Sequence, residues 1–351
     1  MRRFMDLGSC TSYPKWNNEG MKRSSDMHVL EICAGAGGQS SGLELAGFRH
    51  ELAVEIDHDA AETLRGNRPD WNVLEADVRS IDGRQFRGID LIAGGVPCPP
   101  FSIAGKQLGS DDERDLFPEA LRLVREARPT AVMLENVRGL ASARFSTYRE
   151  SILRELDHCG YDTDWQLLYS SEYGVPQLRP RFILVALKRP HFRNFEWPRP
   201  IGTPPSVGQT LEVMMGERGW LGASSWAKRA NSIAPTVVGG SKKHGGADLG
   251  PTRAKEAWLR LGVDGKGIAN EAPGPEMPEA HIPRLTNPMV ARVQGFSPDW
   301  TFAGRKTSIY RQIGNAFPPP VAAAIGESIK TALGAGVTRE TSSGEELRAI
   351  G

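Results

Sequence analysis

One of the four cysteines in the 351-residue chain, Cys98, stands between two prolines in "GGVPCPPFS". A free cysteine is more often a small buried apolar residue than a nucleophile, so its surroundings must decide. The apolar run "DLIAGG" precedes it and puts it at the carboxyl end of a strand, where open α/β sheets bind ligands. The flanking prolines fix the backbone and hold the thiol in one direction. The polar, glycine-containing "FSIAGKQLGSDDERDLF" that follows has the texture of a lid over a site. One strand later, "AVMLENVRG" sets Glu135 directly after four apolar residues. A carboxylate there is costly unless it is used or paired, so a helix cap or a strand-end salt bridge is the competing role. A thiol and a carboxylate thus come from the ends of two strands.

A second constellation lies upstream in "LEICAGAGGQSSG", a strand running through a glycine turn into a helix. Such a turn lets a ligand approach the backbone and face the N–H groups of the helix start. Gly35 and Gly37 give G-x-G, but Ser40 stands where a dinucleotide fingerprint has its third glycine. Glu55 in "AVEID" is placed to bind a ribose diol, and Asp77 in "EADVRS" to accept a hydrogen bond from an adenine amine. Both NAD and S-adenosylmethionine satisfy this pattern, and the departure at Ser40 favours the latter. A zinc cytosine deaminase does not fit: Phe101 replaces the second cysteine of P-C-x-x-C, and no H-x-E precedes it. No metal site is expected.

These residues need a scaffold. Strand-like and helical stretches alternate from Met27 to about Lys188, which predicts a doubly wound, mostly parallel α/β sheet. From about Pro190 to Pro283 the rhythm fails, and the chain becomes rich in Pro and Gly while keeping Trp220, Trp226 and Trp258. This reads as a second, loop-rich domain rather than disorder. The expected division is a loose arm over 1–26, a catalytic and cofactor-binding domain over 27–189, a small recognition domain over 190–300, a return segment over 301–335 and a frayed tail over 336–351. Met21 and Met27 leave room for a later start. Residues 177–320 carry 20 Lys and Arg against 10 Asp and Glu, whereas the whole chain is nearly neutral at +1, so the basic region suits a polyanion. The absence of an 18-residue apolar run argues against a membrane span, and the absence of paired cysteines suits the cytoplasm.

The ordered blocks "CAGAGGQS", "GGVPCPPFS", "ENVRG", "QLRPRFILVAL", "RLTNPMVARVQGF" and "YRQIGNAFPPPVAAAI" together resemble the DNA (cytosine-5)-methyltransferase family of bacteria and phages, over roughly residues 28–330. The resemblance implies the fold class of S-adenosylmethionine-dependent class I methyltransferases with an inserted target-recognition domain. It implies methyl transfer to C5 of a flipped-out cytosine in a short double-stranded DNA sequence, through a covalent bond from Cys98 to C6.

In that reading Cys98 is the nucleophile, Glu135 meets N3, and Arg181 holds O2, with Arg179 beside it. Glu31, Cys33, Ala34, Gly35, Gly37, Gly38, Glu55, Ile56, Asp77, Val78, Pro97, Asn315 and Ala316 form the cofactor site. Cys33 and Ile56 replace residues that are aromatic in the family and stand at adenine-packing positions. Cys33 is expected to be a wall residue and not a catalyst. Ser102, Gln177, Thr236, Lys242, Lys243 and Arg253 are expected at the DNA. Double-stranded DNA is the implied partner, a cognate restriction endonuclease the implied companion, and a cytoplasmic monomer the implied state. The alternatives are the same chemistry on transfer RNA, a non-catalytic DNA-binding relative and, more distantly, an NAD-dependent oxidoreductase.

Overall fold

Short runs of Val, Ile, Leu and Ala, buried on both faces, build the centre of a seven-stranded sheet. The strands are β1 (Met27–Ile32), β2 (Phe48–Glu55), β3 (Val73–Glu75), β4 (Leu91–Gly94), β5 (Ala131–Val137), β6 (Tyr161–Tyr169) and β7 (Pro180–Lys188), in the order β3-β2-β1-β4-β5-β7-β6. This computed structural model describes residues 26–97, 115–239 and 247–346, with side chains described as far as residue 334. β1 pairs in parallel with β2 and β4, β2 with β3, and β4 with β5. β7 runs antiparallel to both of its neighbours, β5 and β6.

The helices are α1 (Gly38–Leu45), α2 (His58–Asn67), α3 (Phe117–Ala127), α4 (Ser146–His158), α5 (Arg189–Phe192), α6 (Val207–Gly216), α7 (Ala223–Arg229), α8 (Thr252–Arg260), α9 (Asn287–Gln294), α10 (Lys306–Asn315) and α11 (Pro319–Glu346). Period-two alternation divides the strands between two layers. Leu30, Ile32, Ile92, Val132 and Leu134 pack with Phe117, Leu121 and Val124 of α3 and with Ile152 and Leu156 of α4. Val29, Leu91, Ala93, Met133 and Ile183 face Leu43 of α1 and Val321, Ile325 and Ile329 of α11. Glycine permits the tight crossing of α1 by α11: a Cβ on Gly42 would meet Ala322 Cβ at 2.6 Å.

A third cluster joins Leu211, Trp226 and Trp258 of the loop-rich region to Met289, Phe296, Tyr310 and Ile313, and also to Ala34, Ala53 and Leu64. This core runs from the inserted region into the return segment and the cofactor side of the sheet.

Three features depart from the sequence reading. The reversal of β7 is one, and β6 is another, because "YDTDWQLLY" shows no apolar run. As an edge strand it buries mainly Tyr161 and Leu168, so polar residues are tolerated along it. The third is the expected fraying after 335, where α11 continues to Glu346. A helix already nucleated and anchored on α1 extends at little cost. The expected N-terminal arm lies outside the described residues. Among the described residues no helix is long and apolar enough to cross a membrane.

Candidate active site

The parallel strands β1, β2 and β3 point their carboxyl ends at one cavity of about 320 Å³. Cys33, Ala34, Gly35, Gly38, Glu55, Ile56, Asp77, Val78, Pro97, Asn315 and Ala316 all line it. Gly35 has φ +57, and a Cβ there would meet nothing within 4 Å, so the turn leaves room for a ligand against the backbone. α1 opens on Gly37 without a side-chain cap, and Gly38 and Gln39 of its first turn face the cavity. Glu55 accepts the amides of Gly35 and Asp57, both at 2.7 Å, and its burial raises its carboxyl above the ordinary range. Asp77 accepts from the Arg79 amide at 2.9 Å and pairs with the Arg79 guanidinium at 3.0 Å, which together hold its carboxyl low. Cys33 has φ +50, and its thiol is pushed up to about 12, first by burial and then by Glu55. It is a protonated wall residue at neutral pH.

Glu135, near the end of β5, lines the same cavity and forms an ion pair with Arg181 at 2.5 Å. Antiparallel register creates this pair: Val137 stands opposite Arg181, so the start of β7 meets the end of β5. Both side chains are nearly buried, at 12% and 11% exposure, and burial lowers the Arg181 guanidinium while Glu135 opposes the shift. The chain leaves the cavity at Pro97 and returns to it at Leu116, whose amide donates to the Pro97 carbonyl at 3.2 Å. Cys98, Ser102, Lys242 and Lys243 lie outside the described residues. The residues present suit a cationic adenosyl ligand: an open glycine cradle, a buried ribose-type acceptor, and the acids Glu55, Asp57, Asp77 and Glu135 around one cavity.

The description "C-5 cytosine-specific DNA methylase" matches residues 27–331. The chain belongs to this family. The Type II methyltransferase M.NaeI of Lentzea aerocolonigenes is 58% identical over 88% of this chain and 75% of its own length. M.NgoMIV of Neisseria gonorrhoeae is 53% identical, covering 87% and 97% of the two chains. A crystal structure of Spodoptera frugiperda DNMT2 matches the fold at TM-score 0.59 with 20% identity, over 88% of this chain and 99% of that one. The protein is a DNA (cytosine-5)-methyltransferase that uses S-adenosyl-L-methionine and acts on specific double-stranded DNA. DNA therefore prevails over transfer RNA, and methyl transfer over oxidoreduction.

Within the methyltransferase, four expected site residues turn out to be placed differently. Glu31 does not line the cavity: it is fully buried, bonded to His50 Nε2 at 2.7 Å and to Gln39 Nε2 at 3.2 Å. Gly37 also lies off the lining, and its φ of +87 and missing side chain make room for the Trp300 ring, whose Nε1 donates to the Ala36 carbonyl at 3.0 Å. Gln177 is fully buried and so does not present itself to DNA, and Arg179, 1% exposed, lies off the cavity with its donors on the carbonyls of Val237, Gly314 and Ala316. Local pattern placed both in the right block, but their partners lie more than a hundred residues away for the return segment and near sixty for Val237. Thr236 is half-buried, with its hydroxyl on the Leu178 carbonyl, and Arg253 is exposed in the first turn of α8.

Residues missed by sequence reasoning include Asn136, whose amide donates to the Val96 carbonyl at 2.9 Å and fixes the backbone two residues before Cys98. Arg311, paired with Asp57 at 3.4 Å, and Phe317 also line the cavity. Asn136 sits inside "ENV" beside Glu135, the one available signal for its role.

Proposed function

We propose that Cys98, Glu135 and Arg181 carry the methyl transfer, and that the Glu135–Arg181 pair on the cavity edge is the observation that supports this reading most. S-adenosyl-L-methionine, when bound, supplies an electrophilic methyl group on a sulfonium sulfur. Cys98 adds as thiolate to C6 of the cytosine, which breaks the ring conjugation and makes C5 nucleophilic. Glu135 faces N3 and favours its protonation as the thiolate adds, and Arg181 holds O2. Once C5 carries the methyl group, it loses its proton and Cys98 is expelled, restoring the aromatic ring. Gly35, Gly38, Glu55 and Asp77 hold the cofactor, with Glu55 at the ribose and Asp77 at the adenine amine.

The target base reaches the cavity only by leaving the duplex stack. Residues 27–189 and 301–335 act as the catalytic domain and 190–300 as the recognition domain. Thr236, Arg253, Ser102, Lys242 and Lys243 meet the DNA in this reading. The Type II names of the relatives support a restriction-modification role with a cognate endonuclease as functional companion, in the cytoplasm and as a monomer.

Purified protein given methyl-labelled cofactor transfers label to C5 of cytosine in DNA, and single-base sequencing of DNA methylated in cells expressing the chain maps the recognition sequence. Cys98→Ser abolishes transfer. Detection of only N4-methylcytosine or N6-methyladenine refutes the mechanism.

A further inference from the structure

The cofactor cavity and the segment carrying Thr236 meet along a buried seam. Gln177, Arg179 and Gln294 close a hydrogen-bonded ring across it. Gln177 Oε1 accepts the Val237 amide at 2.8 Å, and Gln177 Nε2 donates to Gln294 Oε1 at 2.7 Å. Gln294 Nε2 donates to the Ala316 carbonyl at 2.6 Å. Arg179 donates to that same carbonyl at 2.9 Å and, through its other terminal nitrogen, to the Val237 carbonyl at 2.6 Å, which returns the ring to its start. The three side chains are at most 1% exposed. The backbones on either side are pressed together as well. A Cβ on Gly239 would lie 2.5 Å from Asn315 Oδ1 and from the Arg311 carbonyl, and one on Gly314 would fall on the Gly239 amide. Asn315 and Ala316 are themselves cavity wall.

We infer that Arg179 and Gln294 are positioning residues that bind segment 236–239 to the cofactor wall as one piece, so that cofactor and DNA each strengthen the binding of the other. The inference rests on the reading above, in which the cavity holds the cofactor and Thr236 meets DNA. A guanidinium presents its donors in a rigid fork, so the Val237 and Ala316 carbonyls keep a fixed separation while both are held. A buried polar ring resists partial opening, because each orphaned group would lose its partner away from water. A ligand seated against Asn315 and Ala316 therefore orders the recognition segment before DNA arrives, and the effect is reciprocal.

Calorimetric titration of S-adenosylhomocysteine into the full chain, alone and saturated with a duplex carrying the mapped site, gives a coupling factor as the ratio of two dissociation constants. The wild-type factor is at least about fivefold. Arg179→Lys and Gln294→Met each bring it toward one, and the double variant is no lower than the lower single, because a ring opened once is open. A wild-type factor of one overturns the inference while leaving methyl transfer intact. So do variants that keep the wild-type factor while only melting earlier, and losses that add independently in the double variant.

Hydrogen exchange on the wild type avoids dependence on variant folding. S-adenosylhomocysteine without DNA slows exchange of the Val237 amide, and an unchanged rate refutes the coupling. Protein that binds no S-adenosylhomocysteine, or methylates no cytosine, overturns the underlying functional reading and the coupling with it.

Discussion

The two halves of the sheet build the site by different means. In the parallel half, β1, β2 and β3 each deliver a cavity residue at or just after the strand end: Cys33 after Ile32, Glu55 at the end of β2, and Asp77 two residues beyond Glu75. In the other half, β7 is reversed between β5 and β6. Were β7 parallel over the same span, Arg181 would stand opposite Ala131 at the far end of β5, about 14 Å from Glu135. Reversal makes the start of β7 coincide with the end of β5, and the 2.5 Å pair follows. Parallel strands present a row of independent side chains, whereas one antiparallel strand brings opposite charges together at the edge of the cavity.

The largest expected effect tests the antiparallel half. Glu135→Gln keeps the shape and removes the carboxyl, and kcat falls about a hundredfold to ten-thousandfold with little change in S-adenosylhomocysteine affinity. Arg181→Lys keeps a charge without the fork and lowers kcat in the same range. Equal losses in cofactor affinity would show that the two halves are one site and break the comparison. Glu135→Ala is the harsher variant: it leaves a nearly buried guanidinium uncompensated, so thermal stability falls too.

The parallel half is tested at Glu55. Glu55→Ala weakens cofactor binding by roughly tenfold to a hundredfold, the worth of a hydrogen bond to a charged group, while kcat at saturation changes less. The pH dependence has two opposite signs. Burial raises the Glu55 carboxyl, so the native chain holds this proton at higher pH than the unfolded chain does. Its contribution to stability is full below the unfolded value and is lost as the pH rises through the folded one. In the proposed reading the cofactor is held by the carboxylate, so its binding is lost instead as the pH falls through that raised value. Titrating S-adenosylhomocysteine across the acid range shows this limb in the wild type, and Glu55→Gln flattens it.

The contrast also explains what was legible. Strand-end residues follow their apolar runs in sequence, so Glu55, Asp77 and the glycine turn could be read locally, as could Glu135, whereas Cys33 entered through the resemblance. Arg181 entered only through the resemblance of "QLRPRF", because its meeting with Glu135 depends on strand direction, which no local pattern encodes. Gln177 and Arg179 sit in the same block but face inward, toward Val237, Ala316 and Gln294. Glu31 carries the mark of a site acid, yet His50 and Gln39 take its oxygens. These outcomes depend on contacts across the chain and on burial, neither of which residue type reveals. The recognition region was legible only as loop-rich, since its core depends on Trp226 and Trp258 packing with the return segment.

A smaller effect is expected at the turn that joins β1 to α1. Gly37→Ala puts a Cβ into the Trp300 ring and 2.9 Å from Leu64 Cδ2, at a φ of +87 that disfavours any side chain. Strain and overpacking together cost about 1–3 kcal/mol, read as a lower unfolding free energy in denaturant. Cofactor affinity falls with it if the turn shifts away from the Gly35 cradle. An unchanged stability would mean that Trp300 moves aside freely and does not brace the turn.

The smallest effect separates the two cysteines. Cys33 lines the cofactor cavity, but burial and the neighbouring Glu55 push its thiol up to about 12. At pH 8 it is protonated and a poor nucleophile. Iodoacetamide applied to the Cys98→Ser protein at that pH therefore leaves the Cys33 peptide unmodified by mass spectrometry. Cys33→Ala keeps kcat within about threefold, the change expected of a wall residue whose removal leaves a small gap beside the cofactor. Rapid alkylation of Cys33 would show a thiolate there, and a large loss of kcat in Cys33→Ala would give the parallel half a catalytic share. Either result would dissolve the division between a half that binds and a half that reacts.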